Sequence, residues 1–128
     1  MSIEIKPKII NLGKNSNIKI EIQNFGKNPK IWKIFSTDKE NKLFLSPIEG
    51  LLLSFQKDII SLHFKRPTKS NFCSKEKILI QSFGISYERL NKKFEEKSNF
   101  LENIFEEEKN DAPNIEKRII FTNIIKLY

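Results

Sequence analysis

Few side chains in this sequence can do covalent chemistry. There is one histidine, His63, and one cysteine, Cys73. A thiol beside an imidazole would make a nucleophile and its base. However, His63 alternates onto the polar side of its run with Ile59 and Ser61, and Cys73 falls in a loop, so the pair reads as a solvent-facing imidazole and a loop thiol. One His and one Cys do not make a multi-ligand metal site, and neither metal nor cofactor is expected. The glycines at 13, 26, 50 and 84 are isolated, so no phosphate-cradling loop is present. Between 95 and 108 the glutamates crowd like charges onto neighbouring positions, which suits a solvated helix face better than an acid–base pair. No enzyme is expected.

What remains is binding chemistry. In Lys77-Ile78-Leu79-Ile80-Gln81, strand alternation that turns Ile78 and Ile80 inward puts Lys77, Leu79 and Gln81 outside together. In Ile31-Trp32-Lys33-Ile34-Phe35, the same logic buries Trp32 and Ile34 and leaves Lys33 and Phe35 outside. If both strands share a sheet, one face carries two lysines and two apolar side chains. Such a face suits an extended peptide with acids to pair and an aromatic to anchor. The competing reading has Phe35 and Leu79 covered by another part of the chain.

The elements that would position these residues are short strands. Ile3–Lys6 alternates up to Pro7, which fits an edge strand or a kink. Further runs follow at Asn17–Asn24, Ile31–Thr37, Leu43–Ser46, Leu51–Phe55, Ile59–Phe64, Lys77–Ser82 and Arg118–Ile124. Seven or eight strands at roughly ten-residue spacing predict an all-β sandwich of two sheets. The stretch 86–109 differs: Tyr87, Leu90, Phe94, Leu101, Ile104 and Phe105 follow helical spacing, with Ser98-Asn99 as a break and second N-cap. The sequence therefore reads as one domain over 1–128 with a helical insert before the last strand.

Charge is uneven. The net charge is +7. Residues 86–109 hold seven Glu against five basic residues, while the rest carries 18 basic and 9 acidic residues. A basic body favours an acidic partner. The single cysteine favours a reducing compartment, no apolar run approaches the length of a membrane span, and no secretory leader opens the chain.

The order Ile5-Lys6-Pro7, Ile22-Gln23-Asn24, Trp32-Lys33-Ile34-Phe35-Ser36-Thr37, Leu45-Ser46-Pro47-Ile48-Glu49-Gly50, Lys77-Ile78-Leu79-Ile80-Gln81-Ser82, Phe94-Glu95-Glu96-Lys97 and Arg118-Ile119-Ile120-Phe121 resembles the major sperm protein domain, and within it the VAP (VAMP-associated) proteins of endoplasmic reticulum contact sites. The resemblance implies an immunoglobulin-like sandwich of seven to eight strands and a non-catalytic adaptor that binds FFAT motifs, short acidic peptides with two phenylalanines. It implies that Lys77 is the binding lysine, Leu79 stands for a groove methionine, Ser36 and Thr37 match a paired-threonine segment, and Lys33 is the basic residue before it. Phe35 replaces a second lysine, and the basic residue before the last strand falls on Glu116 or Lys117. Lys39 and Lys42 would restore charge at the rim. A cytoplasmic location follows, at the endoplasmic reticulum surface where a membrane tail is present; VAP proteins continue into a coiled coil and such a tail, whereas this sequence ends at Tyr128.

Two other readings remain. Filament-forming relatives imply a self-assembling structural module, and the basic body would allow nucleic acid or anionic lipid. The last is disfavoured because the aromatics fall mostly at inward positions and no arginine cluster or stacking platform appears; no nucleic acid is expected as a partner.

Overall fold

The computed structural model describes residues 3–12, 15–36, 43–65, 77–96, 99, 101–112 and 114–124. Thr37, Lys39, Lys42 and Cys73 lie outside these residues. Among the described residues the strands are β1 (Ile3–Lys6), β2 (Ile9–Leu12), β3 (Asn15–Asn24), β4 (Lys30–Ser36), β5 (Leu43–Ser46), β6 (Glu49–Leu52), β7 (Lys57–Lys65), β8 (Lys77–Gly84) and β9 (Glu116–Ile124). Between β8 and β9 come α1 (Tyr87–Glu96), α2 (Ile104–Glu108) and a 3₁₀ turn over Lys109–Asp111.

The strands form two sheets, ordered β1-β3-β7-β5 and β2-β9-β8-β4-β6. All pairings are antiparallel except β2 with β9. The sandwich expected from the alternation is what forms, immunoglobulin-like as the resemblance implies. Its core is built from the inward residues of both sheets: Ile20, Ile22, Ile60, Leu62 and Phe64 from one, Trp32, Ile34, Ile78, Ile80 and Ile120 from the other. Burying these branched and aromatic side chains is the main force holding the two layers together. Gly50 has a packing reason: a Cβ there would stand 3.0 Å from the indole nitrogen of the fully buried Trp32.

Three boundaries differ from the sequence reading. β2 is an additional strand. Pro7 has no N–H to continue a ladder, and the chain passes from the four-stranded sheet at β1 to the five-stranded sheet at β2. The run read as Leu51–Phe55 is β6, ending at Leu52, because Ser54 and Phe55 turn the chain, Phe55 with φ 62°. The second helix starts later than Ser98-Asn99: its N-cap is Asn103, at φ 59°, and Leu101 lies exposed in the preceding turn. Of the helical-period residues, Leu90, Ile104 and Phe105 are buried, whereas Tyr87 and Phe94 are exposed.

The helical insert has its own apolar cluster. Leu90, Ile104 and Phe105 pack over Ile31 of β4 and Phe83 of β8, on the outer side of the five-stranded sheet. Arg89 ties the insert together. Its guanidinium donates to Glu108 Oε2 at 2.8 Å and to Asp111 Oδ2 at 2.9 Å, and Glu108 is buried. At the far side, the buried Asn24 joins two turns: its Nδ2 donates to the carbonyls of Asn28 (2.8 Å), Leu52 (3.1 Å) and Leu53 (3.3 Å), and its Oδ1 accepts from Gly26 N–H (2.9 Å).

Candidate functional site

The outer face of the five-stranded sheet is ordered in rows by strand register. Ile31 pairs with Phe83 beneath the insert. The next row is Lys33, Gln81 and Lys117; the third is Phe35, Leu79 and Ile119; the fourth is Lys77, Phe121 and Ile9. Alternation explains why these side chains share a side. Their neighbours Ile34, Ile78, Ile80, Ile10 and Ile120 are all buried in the sandwich. The structure therefore brings Lys33, Phe35, Lys77, Leu79 and Lys117 onto one face.

Their exposure grades along that face. Phe35 and Leu79 are half-buried. Ile119, Phe121 and Ile9 are 46%, 51% and 57% exposed. Contiguous exposed apolar side chains on a sheet face mark contact surfaces more often than isolated ones do. The insert covers the Phe35 end in part: the Phe105 ring meets Phe35 edge-on, centroids 6.2 Å apart. The competing reading of the sequence is thus partly realised at Phe35. Leu79 is not part of the cluster beneath the insert.

Lys33 is committed within the chain. Its ammonium lies 3.0 Å from Glu106 Oε1 and 3.9 Å from Glu49 Oε2, and 5.4 Å from the Phe35 ring centroid. Glu106 is also paired with Lys109 at 2.6 Å. These two ammonium groups, Lys109 first and then Lys33, hold the Glu106 carboxyl below its ordinary range. Lys77 stands at the opposite end, 5.9 Å from the Phe121 ring centroid. The face is thus two basic ends around an apolar middle, with one end already facing an acid.

Two expectations on this site need adjustment. Ser36 has the parity of Trp32 and Ile34 and pairs with Ile78, so it belongs to the inward side at the strand end and not to the Lys33–Phe35 face. Between Glu116 and Lys117, register decides: Lys117 stands opposite Gln81 on the outer face, while Glu116 pairs with Ser82 and contacts Arg118 at 2.9 Å. Ile9, Ile119 and Phe121 were not among the expected site residues. A signal for two of them is present, since Ile119-Ile120-Phe121 places apolar residues on both parities of a strand. Ile9 needed β2.

His63 lies on the other sheet, exposed, with Nδ1 2.7 Å from Asn17 Oδ1 and its ring near Phe44. Among the described residues no group of three His, Cys, Asp or Glu side chains is placed to hold a metal ion, and no helix is long and apolar enough to cross a membrane.

No protein-family model and no curated protein sequence matches this chain. Solved structures do. A Caenorhabditis elegans MSP family member, WR4, superposes with a TM-score of 0.68 at 17% identity, over 99% of this chain and 100% of that one. SSP-19, an MSP-domain-like protein of the same animal, gives 0.60 at 9% identity over 93% and 97%. The ASH/PapD-like domain 7 of human CEP192 gives 0.55 at 16% identity over 99% and 87%. The two-sheet order, the insert before β9 and these superpositions together give the chain an MSP-like fold, an immunoglobulin-like sandwich of the kind shared with PapD-like domains.

Proposed function

We propose that this chain is a non-catalytic peptide-binding adaptor, which takes acidic, aromatic-containing segments of the FFAT kind on the outer face of the five-stranded sheet. The observation that carries this reading is the register that sets Phe35 opposite Leu79 and Leu79 opposite Ile119, with Lys77 beside Phe121 in the next row. An aromatic side chain of the peptide docks on the apolar row, and its acids pair with Lys77 and Lys117. Lys77, Leu79 and Lys117 bear the main contacts. Lys33 and Phe35 form the closed end, where the insert already supplies an aromatic ring and an acid. Thr37, Lys39 and Lys42 are proposed rim residues, and Ser36 is a backbone position at the strand end.

With Lys33 facing Glu106, the face offers fewer available cations and more apolar area than a groove of several lysines. The preferred peptide accordingly sets its acids toward Lys77 and Lys117 and a neutral residue toward Lys33. A pull-down on an immobilised FFAT-type peptide tests this reading. Wild type is retained, and Lys77→Asp combined with Leu79→Asp is not, with the fold preserved by circular dichroism. Equal retention of both proteins rejects the face as the binding surface.

A further inference from the structure

The five-stranded sheet has an unfinished edge. β9 runs from Glu116 to Ile124, but β2 accompanies it only from Phe121 onward. Beside Glu116–Ile120, on the side away from β8, no strand pairs among the described residues. The residues that would have continued β2 upstream are β1, and they belong to the other sheet. Between β1 and this stretch of β9 runs a groove of about 610 Å³, with Ile3, Ile5, Ile119 and Phe121 among its walls.

The backbone of β9 points hydrogen-bonding groups into that groove. The Phe121 N–H donates to the Lys8 carbonyl at 3.1 Å, so Phe121 directs its backbone toward the β2 side. Backbone direction alternates along a strand, and Ile119 and Lys117 therefore direct theirs to the same side, where no strand meets them among the described residues. A strand edge with such groups is a template for another extended chain. The surrounding charge selects which one. Lys6, Lys8 and Lys117 line the groove against the single carboxylate Glu4, and none of the three lysines is ion-paired among the described residues; Arg118, also lining it, is held by Glu116.

We infer that the β9 edge at Lys117–Ile119 is a second binding site, which accepts an extended acidic segment of a partner protein as an added strand in line with β2. The guest exchanges backbone hydrogen bonds with Lys117 and Ile119. Its apolar side chains, of one parity, lie beside Ile119 on the outer face; its acids, of the other parity, point toward Lys6 and Lys8, and Lys117 adds positive charge at the rim. Recognition here is by main chain and charge, so it does not require the aromatic anchor of the sheet-face site and stands or falls apart from it.

The probe is acetyl-(Glu-Val)₃-amide, added to isotope-labelled protein and followed by NMR and amide exchange. The amides of Lys117 and Ile119 are expected to shift and to gain protection. An analogue N-methylated at alternate residues, which lacks half the donors, is expected to lose the interaction. Lys6→Glu with Lys117→Glu, which leaves every ladder hydrogen bond in place, weakens binding at least about tenfold, more than Lys77→Asp with Leu79→Asp does. Equal binding of the N-methylated analogue, equal binding of a (Lys-Val)₃ counterpart, shifts confined to Phe35, Leu79 and Lys77, or protection of the same amides by self-association without peptide would each overturn the inference.

Discussion

Phe35 and Leu79 are direct partners across the β4–β8 ladder, and the same register carries the row on to Ile119 of β9. Three apolar side chains therefore form a strip across three strands, flanked by Lys33 and Lys117 on one side and Lys77 on the other. Neither strand's alternation alone fixes this geometry; it needs the register.

The Lys33–Glu106 pair sets how much positive charge the face presents. Replacing Glu106 with Gln leaves Lys33 facing only Glu49, at 3.9 Å, and affinity for an acidic diphenylalanine peptide is expected to rise about two- to fivefold, the scale of one exposed charge pair. Titration calorimetry of wild type and variant at equal ionic strength checks this.

The same carboxylate gives a pH signature. Its folded-state pKa is depressed by Lys109 and Lys33, so its stabilising contribution is full above the ordinary value of 4.5 and is lost as pH falls below that. Urea unfolding of wild type against Glu106→Gln from pH 7 to pH 3 should show the variant with the shallower acid slope. Identical slopes would mean that the Glu106 pairs contribute nothing to the folded state.

Asn24 is the clasp between the turn after β3 and the turn after β6. Asn24→Asp keeps the shape but removes the amide donor and sets a carboxylate against three carbonyls. A loss of about 2–4 kcal/mol in chemical denaturation is expected, since buried acceptors are left unsatisfied and a charge is buried among them. Asn24→Ala should cost less than the aspartate does.

Arg89 ties α1 to the α2 end of the insert through Glu108 and Asp111. In Arg89→Ala the buried Glu108 keeps only Lys93, at 3.6 Å, and a destabilisation of about 2–3 kcal/mol follows from an under-compensated buried carboxylate. The double change Arg89→Met with Glu108→Leu should recover most of it, measured as the thermal midpoint of each protein.

The sandwich was legible because isoleucine alternation is strong in β3, β7 and β8, where a slip of one residue would put the whole apolar set into water. The outward parity of Lys33, Phe35, Lys77 and Leu79 was legible for the same reason, but not that their strands are neighbours. What local pattern does not hold is strand adjacency and strand switching. Pro7 reads as an interruption, whereas the chain resumes as β2 in the other sheet and contributes Ile9 to the face. The acid opposite Lys33 was equally out of reach, because Glu106 is 73 residues away and one glutamate of a run looks like any other until the insert docks. Helical spacing overestimated burial at Tyr87 and Phe94, since α1 packs mainly through Leu90.

The most direct test of the sheet face as a peptide groove is a titration with an FFAT-type peptide, reading heat and, in parallel, the backbone amide shifts of β4, β8 and β9. Saturable binding, with shifts clustered on Phe35, Leu79, Lys77 and Ile119 and abolished by Leu79→Asp with Lys77→Asp, is the result expected. Binding of unchanged strength in that double variant, or shifts that avoid all three strands, would contradict the account.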